Sequence, residues 1–156
     1  MSADDRILAV TPVHRGFGYV VMSGRGTLIH WCVKEVRVKA KYKNARCVFE
    51  VDKIIDTYKP TVLVLEDHRA PGAVKRRRVK QLLSLFAEHA IDCGLGVATC
   101  GPRELRLSLG LTPRVNKIAL AAAVAKRLPA LKDRTPSPKK FYDPEAYGMP
   151  IFVAAA

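Results

Sequence analysis

The stretch "RILAVTPVHRGFGYVVM", residues 6–22, sets the architecture of the chain. Ile7 to Val10 reads as a buried strand that runs into a Thr11-Pro12 turn. Residues 6–11 and 17–22 are adjacent strands, and the intervening "PVHRG" carries the Pro and Gly needed to reverse direction. "TLIHWCVKEVRV" (27–38) supplies a third strand after the turn "SGRG". Three consecutive strands joined by short turns form an antiparallel meander.

Beyond Asn44 the apolar period changes. Val48, Val51, Ile55 and Tyr58 recur at helical spacing until Lys59-Pro60 stops them. "TVLVLED" (61–67) is a continuous apolar run suited to a strand covered on both faces. After the loop "DHRAPGA", Val79, Leu82, Leu83, Phe86 and Ala90 form the apolar stripe of a second helix. "LGVATC" (95–100) is a short strand, and "GPRELRLSLGL" a short helix ended at Gly110. "RVNKIALAAAVAKRL" (114–128) is an Ala-rich helix stopped by Pro129, followed by an exposed Pro, Ser and Lys loop. In the final "YDPEAYGMPIFVAAA", Asp143 is an N-cap candidate, Pro144 a favoured first helical residue, and Pro150 a kink or restart. A meander followed by alternating helices and strands predicts a mixed α/β sheet with helices on its faces.

A chain of 156 residues, 49% apolar, is long enough for one substantial core and short for two, so residues 1–156 read as one domain. No apolar run is long enough to span a bilayer, and the opening "MSADDR" is acidic where a secretory signal is basic. A soluble, cytoplasmic protein is expected. Cys32, Cys47, Cys93 and Cys100 lack paired metal-ligand spacing and read as buried free thiols. His14, His30, His68 and His89 share no ligand spacing; His68, two residues after Glu66, is the histidine to place near a site. Trp31 and Phe17 are read as core residues in preference to base-stacking platforms.

The net charge of +13 is the strongest compositional signal. Its cations cluster in "KAKYKNAR" (39–46), "KRRRVK" (75–80) and "RTPSPKK" (134–140). Such clusters are either solvated surface or contacts to a polyanion. Positive charge in the first turns of a helix opposes its macrodipole, so Lys75, Arg76, Arg77, Arg78 and Lys80 are not explained by local stability. A bound phosphate backbone explains them. Arg114 and Lys117, at the start of the Ala-rich helix, join this candidate nucleic-acid-binding set.

The element order and several motifs resemble the ribonuclease-H-like fold, and within it the RuvC-type Holliday-junction resolvases. "ILAVTPVHRGFGYVV" is similar to the first hairpin of that family, where an Asp-Pro-Gly turn precedes a Gly-Tyr pair; here Thr11-Pro12-Val13 occupies the turn and Gly18-Tyr19 follows. "VLVLED" is similar to the fourth strand, whose terminal glutamate is a metal ligand, a role that maps to Glu66. "EAYGMPIFVAAA" resembles the last helix, which carries acidic ligands before a small and apolar run. The resemblance implies a five-stranded mixed sheet with three antiparallel strands, two parallel strands and helices on both faces. It also implies a dimer acting on branched nucleic acid, DNA more than RNA, with Mg²⁺.

In that chemistry two divalent cations activate a water and stabilise a leaving oxygen, and hard Mg²⁺ requires several carboxylates. This sequence departs from the set. Thr11 stands at the first-strand aspartate and Val153 at a last-helix ligand, leaving Glu66 as the clear metal ligand. Asp67, Asp143 and Glu145 are the candidate substitutes, and Thr11 is either a hydrogen-bonding turn residue or a water-positioning group. Glu66 itself reads as a site residue or as a strand-end carboxylate paired with a basic side chain. Three functions follow: a RuvC-like binder of branched DNA with a degraded metal-nuclease site; an Mg²⁺-dependent endonuclease using Glu66 with Asp143, Glu145 or Asp67; or a protein-interaction module whose charge meets an acidic partner.

Overall fold

The computed structural model describes residues 4–70, 76–112 and 117–128. Its strands are β1 (Arg6–Val13), β2 (Gly16–Ser23), β3 (Leu28–Glu35), β4 (Val62–Glu66) and β5 (Gly96–Cys100). Its helices are α1 (Ala40–Tyr58), α2 (Arg77–Asp92), α3 (Pro102–Ser108) and α4 (Lys117–Arg127). The strands form one sheet in the order β3-β2-β1-β4-β5. β1, β2 and β3 pair antiparallel, while β4 and β5 add parallel to β1.

Strand alternation divides the sheet into two faces. Leu8 and Val10 of β1, Phe17, Tyr19 and Val21 of β2, and Leu63 and Leu65 of β4 pack in one core with the buried stripes of α1 and α2. Those stripes are Cys47, Val51, Ile54 and Ile55 on α1, and Val79, Leu82, Leu83, Phe86 and Ala90 on α2, each at three-to-four-residue spacing. Phe17 and Phe86 meet edge-on across this interface, with ring centroids 5.9 Å apart. The opposite face carries Val20, which packs with Ala121, Val124 and Ala125 of α4; Trp31 is partly buried beside them.

Several boundaries differ from the sequence reading, each for an identifiable reason. Thr11-Pro12 is not a turn: β1 continues to Val13, with Pro12 opposite Phe17, and the reversal falls at His14-Arg15. β4 pairs only with Ile7–Val10, so beyond that point one edge of β1 is open, and a residue without an N–H is tolerated there. Gly16 then opens β2 at φ 152°, where a Cβ would collide with the Lys34 carbonyl. β3 ends at Glu35, earlier than Val38. α1 begins at Ala40, ahead of Asn44, because its first turns are solvated and carry no apolar period. It stops where Lys59 takes a left-handed conformation and donates its N–H to Ile55 O. All four cysteines are free, but only Cys47 is buried; Cys93 is exposed. Cys93 follows the last residue of α2, past its apolar stripe, which is why the buried-thiol expectation fails there.

Candidate strand-end site and basic edge

The parallel register sets Val10 beside Leu65. The next residues of the two strands are Thr11 and Glu66, which therefore stand side by side on the face opposite the α1–α2 core. Cys100 is opposite Glu66 on β5 and completes the row. This row lies at the C-terminal edge of the parallel strands, where ligands of α/β sheets gather.

Thr11 is buried, at 6% exposure. Glu66 is half-buried, and its Oε2 is closed to solvent. A third group, unremarked in the sequence, comes from α3. The Gly101 N–H donates to Glu104 Oε2 at 3.3 Å, which anchors that carboxylate at the strand end. Burial first, then the charge of Glu104 and a hydrogen bond to it, then the charge of Glu66, raise the Cys100 thiol above its ordinary value. Two carboxylates thus act on one thiol. Its only mark in the sequence is "GPRE", a Gly-Pro helix start with an acidic residue in its first turn.

Asp67 is engaged twice: its N–H donates to Cys100 O of β5 at 2.9 Å, and its Oδ1 accepts the Arg69 N–H of its own loop at 2.9 Å. His68 lines an open cleft of ≈ 450 Å³ with Asn44, Lys80, Gln81, Ser84 and Leu85, so it accompanies the basic helix. Among the described residues, no three carboxylate, imidazole or thiol ligands converge at Glu66. The neutral Thr11 hydroxyl beside Glu66 adds no charge to the row. The described donor set therefore does not fit a pair of hard cations. Asp143, Glu145 and Val153 lie outside the described residues.

Around this row the helices bring positive charge. α1 follows the C-terminal end of β3, α2 follows that of β4, and both start at the edge that carries Thr11 and Glu66. Neither helix has an acidic residue in its first turn. Arg78 clamps the arrangement: its guanidinium donates to Val13 O at 3.1 Å, His14 O at 3.3 Å and Asn44 Oδ1 at 3.0 Å. Asn44 Nδ2 returns a bond to Arg78 O at 3.2 Å, and Lys43 Nζ reaches His14 O at 3.2 Å. The hairpin tip and the two helix starts are thereby tied together. Arg76, Arg77 and Lys80 remain exposed on this platform. Lys117 is the first residue of α4; Lys75, Arg114 and the 134–140 cluster fall outside the described residues. Phe17 is fully buried and belongs to the core.

A mixed sheet of this order, with helices on both faces and a glutamate at the end of its fourth strand, defines a ribonuclease-H-like fold. More particularly, it is the fold of RuvC-type Holliday-junction resolvases. It is similar to the Thermus thermophilus RuvC structure at 17% identity and a TM-score of 0.67, over 96% of this chain and 90% of that one. The T. thermophilus RuvC structure in complex with Holliday junction substrate matches at 15% identity and a TM-score of 0.66, over 97% and 88%. The yeast mitochondrial Holliday junction resolvase Ydc2 matches at 12% identity and a TM-score of 0.54, over 86% and 64%. No protein-family model and no curated protein matches the sequence. Among the described residues no helix is long and apolar enough to cross a membrane.

Proposed function

We propose that this chain binds branched DNA, in preference to RNA, through the basic edge of its sheet, and leaves the strands uncut because its metal-nuclease site is degraded. The observation that carries the reading is the convergence of two uncapped, cation-rich helix starts on a strand-end row that holds Glu66 beside neutral Thr11. Helix N-termini carry partial positive charge, and lysine and arginine there cost helix stability that a phosphate restores. Arg76, Arg77 and Lys80, with Lys75, Arg114 and Lys117, supply the phosphate contacts; Arg78 braces the hairpin beneath them. The likeness to RuvC held on a Holliday junction supports a four-way junction as the DNA shape. In this reading the protein is a cytoplasmic homodimer.

A second reading, an Mg²⁺-dependent endonuclease, is favoured by one observation: the Gly101 N–H holds the Glu104 carboxylate just past Cys100, the residue paired with Glu66 at the strand end. In that case Glu66, with Glu104 and with Asp143, Glu145 or Asp67, would hold the cation, whose chemistry would be activation of a water toward a phosphodiester.

The test is fluorescence anisotropy with labelled four-way-junction, duplex and single-stranded DNA and RNA across a salt series. The expected result is tightest binding to the DNA junction, with an affinity falling steeply and linearly in log–log form as salt rises. Equal binding to all polymers would remove the branched-DNA claim. No binding below micromolar at low salt would overturn the reading and favour an acidic protein partner.

A further inference from the structure

A second constellation stands away from the strand-end row. α1 and α2 run side by side, with Asn44 meeting Arg78 near their starts and Asp52 meeting His89 further along. His89 Nε2 lies 2.8 Å from Asp52 Oδ1, and Cys93 Sγ lies 3.6 Å from the same Nε2. Each of the three residues offers one ligand atom, and these atoms all lie within 4.8 Å of one another. His89 and Cys93 are separated by four positions, so one turn of α2 sets both on the same side, and α1 brings the third. From Arg77 to His89 the helix advances roughly 18 Å, which carries this cluster away from the basic edge.

We infer that Asp52, His89 and Cys93 form a zinc-class metal site that clips α1 to α2. A thiolate, an imidazole and a carboxylate together suit Zn²⁺ better than Mg²⁺ or Ca²⁺, which take oxygen ligands. A tetrahedral centre with ordinary Zn–N and Zn–S bonds sets those two atoms about 3.6 Å apart, matching the separation in place. The same geometry asks for about 3.4 Å between nitrogen and oxygen, so the Asp52 carboxylate must withdraw by about 0.6 Å, and its exposure leaves room to do so. Three protein ligands leave a fourth position for water.

The proton balance is simple. In the metal-free protein Nε2–H of His89 donates to Asp52; on binding, the ring proton moves to Nδ1, Nε2 takes the metal, and the Cys93 thiol releases its proton to solvent. One proton leaves per ion bound to the neutral histidine. Burial, then the charges of Asp52 and Asp92, hold the metal-free thiol above its ordinary value. A divalent cation relieves that field. The site is independent of any role for Glu66.

The experiment is titration of the full-length, metal-free protein with Zn²⁺ against a chromophoric chelator, and with Co²⁺ followed by absorbance. One Zn²⁺ per chain and a sulfur-to-cobalt charge-transfer band are expected. Cys93→Ser should abolish the band, and His89→Gln should weaken Zn²⁺ affinity by more than about tenfold, since even outer-shell partners contribute that much. Cys100→Ser should change neither. Circular dichroism of each variant establishes that it is folded. Zinc should also raise the melting temperature of wild type and protect Cys93 from alkylation. Loss of zinc binding in Cys100→Ser with retention in Cys93→Ser would overturn the assignment, as would absence of binding to folded wild type below millimolar zinc.

Discussion

Thr11 beside Glu66 concentrates the chemical question into two side chains. A hydroxyl contributes no charge toward a divalent cation, while the half-buried Glu66 contributes one. The double change Thr11→Asp with Val153→Asp should therefore raise Mg²⁺ affinity, measurable by calorimetry, and any cleavage it creates should vanish on adding Glu66→Gln. Gly16 makes a separate prediction. Its φ of 152° and the Lys34 carbonyl facing it leave no space for a side chain, so Gly16→Ala should lower unfolding free energy by about 3 kcal/mol, as overpacking does, read from the urea midpoint. The place of Glu66 at a strand end was legible from the sequence because it closes a continuous apolar run. Glu104 was not, since its proximity depends on how α3 leaves β5, and no periodicity encodes that.

At the scale of elements, α2 does two jobs with one cationic run. Arg78 faces inward and Arg76, Arg77 and Lys80 face out. Arg78→Met should cost about 1.5–3 kcal/mol, the usual value for hydrogen bonds from a charged group, seen as a lower urea midpoint. Arg77→Gln with Lys80→Gln should leave that midpoint unchanged to within about 0.5 kcal/mol. The same pair should instead weaken junction binding and flatten the log–log salt slope by about 2, one ion per lost phosphate contact. The α2 stripe was fully readable from its spacing, whereas the start of α1 was hidden because residues 39–46 present no apolar face. His89 and Cys93 stand four positions apart on one helix, a spacing that shows only when histidines and cysteines are read together; Asp52 is beyond any local pattern, because only tertiary packing supplies it.

At the scale of the whole molecule, the fold separates its labours by sheet face and edge. One face is a core of α1 and α2 over the central strands, the other takes α4, and the C-terminal edge collects positive charge around Glu66 and Thr11, with Cys100 and Glu104 beside them. The core should tolerate little truncation: Phe86→Ala removes a fully buried ring in contact with Phe17 and should cost about 3–5 kcal/mol in a denaturant melt. The order of strands was legible from turn residues and hydrophobic runs, and the mixed topology followed from it. The exact end of β1 was not, because Pro12 reads locally as a turn and only the short reach of β4 permits it to remain in the sheet.

A positively charged edge built on this sheet either holds a junction intact or cuts it. Wild-type protein saturated with a labelled four-way junction, incubated with Mg²⁺ or Mn²⁺ and resolved on a denaturing gel, answers this directly. Intact strands recovered from a stable complex are predicted; strand scission that disappears in Glu66→Gln would contradict it.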